Sequence, residues 1–155
     1  EEYVVGGNRY SAEAEELAAR EGAEAVRLSA RLEAEVAELP EDEAREYMEM
    51  LGVRTTGFEE FVRAAYRLLG LITFFTFNEK ESRAWTIREG STARRAAGRI
   101  HTDMERGFIA AEVGDWSDVV SAGSLARARE EAKVRLEGRD YVVRDGDVML
   151  VRFNV

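Results

Sequence analysis

Gly52 and Gly57 are separated by four residues, the gap found in the phosphate-binding loop GxxxxGK[ST]. In that loop backbone N–H groups cradle phosphate, a Lys reaches the outer phosphates and a Ser or Thr hydroxyl holds Mg²⁺. Phe58 and Glu59 stand where the Lys and the hydroxyl belong. A carboxylate there repels phosphate, so the two glycines read as a helix stop and a helix entry. His101 is the only histidine and there is no cysteine. A transition-metal site or an activated nucleophile therefore has no set of partners to draw on, and His101 reads as a structural hydrogen-bonding residue. Asp145-Gly146-Asp147 lacks the length and the closing Glu of a calcium loop. Two groups remain. Ser29-Ala30-Arg31 opens a helix after an extended run, where a bare helix cap is the simplest reading. Arg94, Arg95 and Arg99 share one helix face, flanked by Arg88 and Arg106. Such a cluster is a solvated face or a surface that grips phosphate oxygens. Glu89, Asp103 and Glu105 dilute its charge.

The elements that must hold these residues follow from periodicity. Residues 10–21 read as a helix with Ser11 as N-cap and Gly22 as stop, followed by a short strand over Ala23–Leu28. Helices follow over 31–39, 41–51 and 57–69. The last starts at a Thr56/Glu59 capping box and carries an apolar stripe of Phe58, Phe61, Val62, Ala65, Leu68 and Leu69, expected to be buried. Beyond Gly70 the pattern becomes β. Strands are expected at 71–77 and 82–87, turning through Asn78-Glu79-Lys80, then at 108–113, 141–143 and 148–153. The last two are expected to form a hairpin around Asp145-Gly146. Helices are expected over Thr92–Ile100, with Ala93, Ala96, Ala97 and Ile100 facing inward, over one turn capped by Thr102 and Glu105, and over 125–133. This order, β-β-α-β-α-β-β, is that of a β-grasp sheet wrapped on one helix. Trp85 alternates within its strand and reads as core, although it and Trp116 could also stack on bases.

Composition bounds the function. The chain has 155 residues and a net charge of −9. Residues 1–70 carry all of that acidity and residues 71–155 are balanced, which leaves room for a local basic patch in the second half. No apolar run approaches a membrane span and the first residues have no signal-peptide pattern, so no membrane partner and a cytoplasmic location are expected. A lone strand followed by helices, and Glu at position 1, lead us to expect that the chain is the later part of a longer protein.

The phrases LLGLITFFTF, RAWTIREGSTA, AAGRIHTDMERGFI, LEGRDYVV and DGDVMLVRFNV together resemble the C-terminal part of the Obg-like ATPase (YchF) family. The stretch GDWSDVVSAGSLARAR at 114–129 departs from the family pattern. The resemblance implies an α/β (α+β) chain with three parts. Residues 1–37 would be the end of a P-loop G domain, 38–70 connecting helices, and 71–155 a β-grasp, ubiquitin-like TGS domain. It also implies that Ser29, Ala30 and Arg31 match the family's nucleotide base-contacting loop, with Arg in place of the common Lys. The intact protein would bind and hydrolyse ATP (or GTP) with Mg²⁺ and associate with the ribosome, through large-subunit RNA or protein. Arg88, Arg94, Arg95, Arg99 and Arg106 are the contact candidates. This chain alone lacks the phosphate loop, so no catalytic residue, metal or cofactor is expected for it. A free-standing β-grasp RNA- or protein-binding module is the alternative, and an independent enzyme is the least supported reading.

Overall fold

The computed structural model describes residues 6–78 and 81–154. The chain separates into two compact units, Glu1–Leu69 and Gly70–Val155.

The front unit is helical: α1 (Arg9–Glu21), α2 (Ala30–Ala37), α3 (Glu41–Met50) and α4 (Gly57–Leu68). Asn8, not Ser11, caps α1. Its Oδ1 accepts from the Ser11 N–H at 2.9 Å while the Ser11 hydroxyl accepts from the Asn8 N–H at 2.8 Å. Both are small polar residues of the type that caps, and Ser11 serves as the N3 partner of the capping box rather than as the cap. The run Ala23–Leu28 joins no sheet, because no strand precedes β1 among the described residues. Without a neighbour on either edge an extended run cannot satisfy a ladder. Gly52 closes α3 in a left-handed turn at φ 71°, as expected of a helix stop. Gly57 opens α4, where a Cβ would lie 2.3 Å from Leu28 Cβ, so only glycine lets the helix start approach that run so closely. The α4 stripe is present but not buried: Phe58, Phe61, Val62, Leu68 and Leu69 are all exposed, and only Gly57 and Ala64 of that helix are buried.

The second unit is a five-stranded sheet of β1 (Leu71–Phe77), β2 (Ser82–Arg88), β3 (Phe108–Asp115), β4 (Arg135–Glu137) and β5 (Asp147–Phe153), in the order β2-β1-β5-β3-β4. β1 and β5 are parallel and the other pairs antiparallel. Four helices accompany them: α5 (Ala93–Ile100), α6 (Thr102–Arg106), α7 (Trp116–Ala122) and α8 (Leu125–Glu130). A central parallel pair with a helix packed on one face is the β-grasp arrangement. Ala93, Ala96 and Ala97 of α5 are fully buried against Ile72, Phe74, Ile87, Ala111, Val113 and Met149, and Ile100 is partly buried at the edge of that cluster. On the opposite face α7 and α8 pack Val119, Ala122, Leu125 and Ala128 against Val148.

Three expectations need correction. Tyr141–Val143 is not a sheet strand. Val142 makes one isolated bridge to Thr92, and the segment pairs with the entry to α5 through Ala93 N–H to Tyr141 O (2.7 Å) and Val143 N–H to Ser91 O (3.0 Å). The fourth strand is instead the more polar Arg135–Glu137, paired with β3. Asp145-Gly146 forms no hairpin. Asp145 Oδ1 accepts from the Thr73 N–H at 2.7 Å, and the Gly146 N–H donates to Thr73 O at 2.8 Å, so the dipeptide clamps onto β1. Trp116 lies over Gly146, where a Cβ would meet its Cδ1 at 2.7 Å. The one-turn helix α6 is capped by His101, whose Nδ1 accepts from the Asp103 N–H at 3.2 Å; Thr102 is its first residue. Glu79 and Lys80 of the expected first turn lie outside the described residues. Asn78 holds the near side by accepting from the Glu81 N–H at 3.0 Å.

Candidate functional site

The arginine face of α5 follows from its helical repeat. Alanines three and four residues apart turn inward, which leaves Arg94, Arg95 and Arg99 exposed. Arg88, the last residue of β2, and Arg106, the last of α6, are exposed as well. The five differ in their partners. Arg94 donates from Nε to the Glu105 carbonyl at 3.2 Å. Arg106 lies 3.8 Å from Asp103 Oδ1, and that carboxylate also sits 3.5 Å from His101 Nδ1. The Glu105 side chain lies over Gly98, where a Cβ would meet its Oε2 at 2.4 Å. Arg95 and Arg99 pair with no carboxylate among the described residues. The face is therefore basic at Arg95 and Arg99 and partly neutralised toward α6. Exposed guanidiniums of this kind can grip phosphate or carboxylate oxygens.

Within the front unit, Ser29 is the N-cap of α2, accepting from the Leu32 N–H at 3.2 Å. Ala30 is the first helical residue and is exposed. Arg31 is exposed and donates from Nε to Glu35 at 2.8 Å. The hydrogen bond from Arg31, with another from the Tyr47 hydroxyl, holds the Glu35 carboxyl below its usual range. The three residues thus form a capped helix start with an exposed Ala30. At Gly57 the N–H already donates to Glu33 Oε1 at 2.7 Å, so a carboxylate occupies the one helix start with phosphate-loop glycine spacing. Among the described residues no group of three or more His, Asp or Glu side chains is placed to hold a metal ion. No helix of the described residues is long and apolar enough to cross a membrane.

The two tryptophans have different roles. Trp85 is half-buried against the core and donates from Nε1 to Thr76 Oγ1 at 2.9 Å, with Arg83 stacked 5.9 Å above its ring. Trp116 is exposed. Sequence reasoning missed two buried carboxylates, Glu112 and Asp147. Asp147 Oδ2 accepts from the Tyr141 hydroxyl and the Arg144 N–H, both at 2.8 Å. Burial, reinforced by that bond to Asp147, pushes the Tyr141 hydroxyl up to about 12. Glu112 accepts from Arg129 and Arg152. Burial alone would raise its carboxyl, but the two guanidiniums outweigh it and hold the group below the usual carboxylate range.

Comparison with known proteins agrees with this architecture. Residues 71–154 match the family model YchF-GTPase_C, described as a protein of unknown function (DUF933). The chain is 48% identical over 149 residues to the ribosome-binding ATPase YchF of Bacillus subtilis (strain 168), covering 96% of this chain and 41% of that protein. It is 47% identical over 148 residues to the protein of the same name from Escherichia coli O157:H7, with the same coverage. Among solved structures it is similar to the Schizosaccharomyces pombe YchF GTPase, with a TM-score of 0.79, 28% identity, and coverage of 97% of this chain and 40% of that one. The chain thus spans about two fifths of the length of the relatives it matches. With more than half of its residues matched by the family model, the chain belongs to the YchF-GTPase_C family.

Proposed function

We propose that this chain is the C-terminal part of a ribosome-associated P-loop NTPase, with residues 71–155 serving as its TGS-type binding module. The observation that carries the proposal is the α5 face. Three arginines project from a helix whose opposite side buries Ala93, Ala96 and Ala97, none of the three pairs with a carboxylate among the described residues, and relatives at 47–48% identity are named ribosome-binding ATPases. In this reading Arg94, Arg95 and Arg99 contact ribosomal RNA phosphates, with Arg88 and Arg106 at the rim. Residues 1–37 complete a nucleotide-binding domain, residues 38–70 connect it to the module, and Ser29-Ala30-Arg31 lies against the nucleotide base. ATP or GTP hydrolysis with Mg²⁺ then belongs to the intact protein, in the cytoplasm. The phosphate-binding Lys and the Mg²⁺ ligands that phosphoryl transfer requires come from other sequence.

Co-sedimentation with ribosomes across a salt series tests this reading. The chain should pellet with ribosomes, its affinity should fall as salt rises because each phosphate contact releases counterions, and Arg94→Glu/Arg95→Glu/Arg99→Glu should abolish pelleting while leaving the fold intact. Equal pelleting of the triple variant would reduce the α5 face to a solvated surface.

A further inference from the structure

The side of the sheet turned away from α5 carries a second charged feature. Register places Glu112 directly between Leu150 of β5 and Leu136 of β4, with Arg152 opposite Ala110 on the same face. Glu112 is 4% exposed. Arg129 of α8 donates to its Oε2 from Nε at 3.0 Å and again from Nη2, and Arg152 donates from Nη2 to Oε1. Both arginine side chains nevertheless stay more than half exposed, at 52% and 57%. Leu136 and Leu150 are exposed as well, at 63% and 41%.

We propose that this face is a docking site for an acidic, aliphatic protein segment. In this site Arg129 and Arg152, held by the buried Glu112, take a carboxylate, and Leu136 and Leu150 take the aliphatic side chains beside it. Charge complementarity selects the occupant. Two guanidiniums share one carboxylate, which leaves one positive charge at the surface and further N–H donors facing solvent. Because Glu112 already fixes the guanidiniums, an incoming carboxylate does not have to order them, and that lowers the entropic cost of binding. The leucines on either side exclude a nucleic-acid backbone as the better fit, since a phosphodiester chain would leave them in water while an aliphatic side chain would cover them. The site is independent of the α5 arginines, which project from the helix on the other face, so it stands or falls apart from the RNA reading.

The test uses the 155-residue chain with the peptide acetyl-Leu-Asp-Leu-Glu-Leu-amide, followed by NMR at the Leu136 and Leu150 methyls and the Arg129 and Arg152 Nε–H groups. Saturable shifts at these four residues are expected, with affinity about tenfold weaker or worse for the Asn/Gln version of the peptide. A Glu112→Gln/Arg129→Gln/Arg152→Gln variant, which leaves no unpaired buried charge, should lose the shifts. So should Leu136→Ser/Leu150→Ser, which keeps the charged cluster intact. Four results would overturn the proposal: no shifts, equal binding of the uncharged peptide, unchanged binding in both variants, or tighter binding of a 12-nucleotide oligouridine at the same residues. Shifts at these residues produced only by raising the concentration of the chain itself would assign the face to a second copy and also overturn it.

Discussion

The two units bury their apolar residues to very different extents. Among the described residues, 16 of the 18 buried hydrophobic residues belong to the sheet unit and only Leu32 and Ala64 to the helical one. Yet the helical unit is not short of apolar residues. Phe58, Phe61, Leu68 and Leu69 of the α4 region, with Leu17 and Leu28, are all at least half exposed. Polar contacts link its elements, among them Arg67 clasping Glu24 at 2.7 Å, Arg27 on Glu15, and Glu33 on the Gly57 N–H. Exposed ion pairs of this kind contribute little to stability, whereas buried aliphatic and aromatic side chains contribute a few kcal/mol each. A β-grasp sheet with a helix across it encloses its own core. A set of amphipathic helices encloses one only when something faces their stripes.

That contrast can be broken or sharpened by substitution. Phe74 is fully buried, so Phe74→Ala should destabilise the sheet unit by about 3–5 kcal/mol, while Phe58→Ala in the helical unit should stay within about 0.5 kcal/mol. Urea unfolding followed by circular dichroism would show both, and equal losses would mean that the α4 stripe does carry packing. Close backbone approach gives the next largest effect. A Cβ on Gly107 would lie 1.8 Å from the Asn154 carbonyl oxygen, so Gly107→Ala should cost about 1–3 kcal/mol by forcing the end of β5 away from β3. A change of midpoint under 0.3 kcal/mol would show that the strand end yields freely.

Charge gives smaller, pH-dependent effects. Glu112 titrates below its unfolded value in the folded chain. The stability it adds is therefore complete above the ordinary carboxylate range and is lost as pH falls through the folded pKa. Glu112→Gln should destabilise the chain at pH 7 and converge with the parent as pH falls through the depressed folded pKa. A difference that does not shrink at all as the solution is acidified through and below the carboxylate range would assign the effect to packing. Tyr141 has the opposite sign. Its folded pKa of about 12 lies above its unfolded value, so the stability it contributes is complete below about pH 10 and is lost as pH rises toward 12. Tyr141→Phe should flatten the alkaline limb of the stability curve, and an unaltered limb would contradict the link to Asp147.

Much of the sheet unit was legible in the sequence because its local signals agree with its packing. β1 and β2 are rich in aromatic and β-branched residues, and the alanines of α5 lie at helical spacing. The fourth strand was not, because Tyr141-Val142-Val143 has the better β composition while Arg135-Leu136-Glu137 has the better neighbour. Strand identity there is decided by which segment reaches β3, a tertiary fact. Helix α7 was hidden for a related reason, since Val119 and Val120 weaken the helical signal that Asp115 caps. The arginine face of α5 was readable from periodicity alone. The Glu112 cluster was not, because its arginines lie 17 and 40 residues away, and a lone Glu in an apolar strand gives no hint of either. In the helical unit the stripe of α4 was visible, but its burial depends on what faces it, which periodicity does not specify.

Native-state hydrogen exchange on the 155-residue chain tests the contrast between the units most directly. Amides of Phe74, Ala111 and Met149 should exchange only through global opening of the sheet unit. Those of α1 and α3, where no residue is buried, should exchange faster by a factor on the order of a thousand. Equal protection in α1, α3 and the central strands would show that the helical unit has a cooperative core of its own and would contradict the contrast between the units.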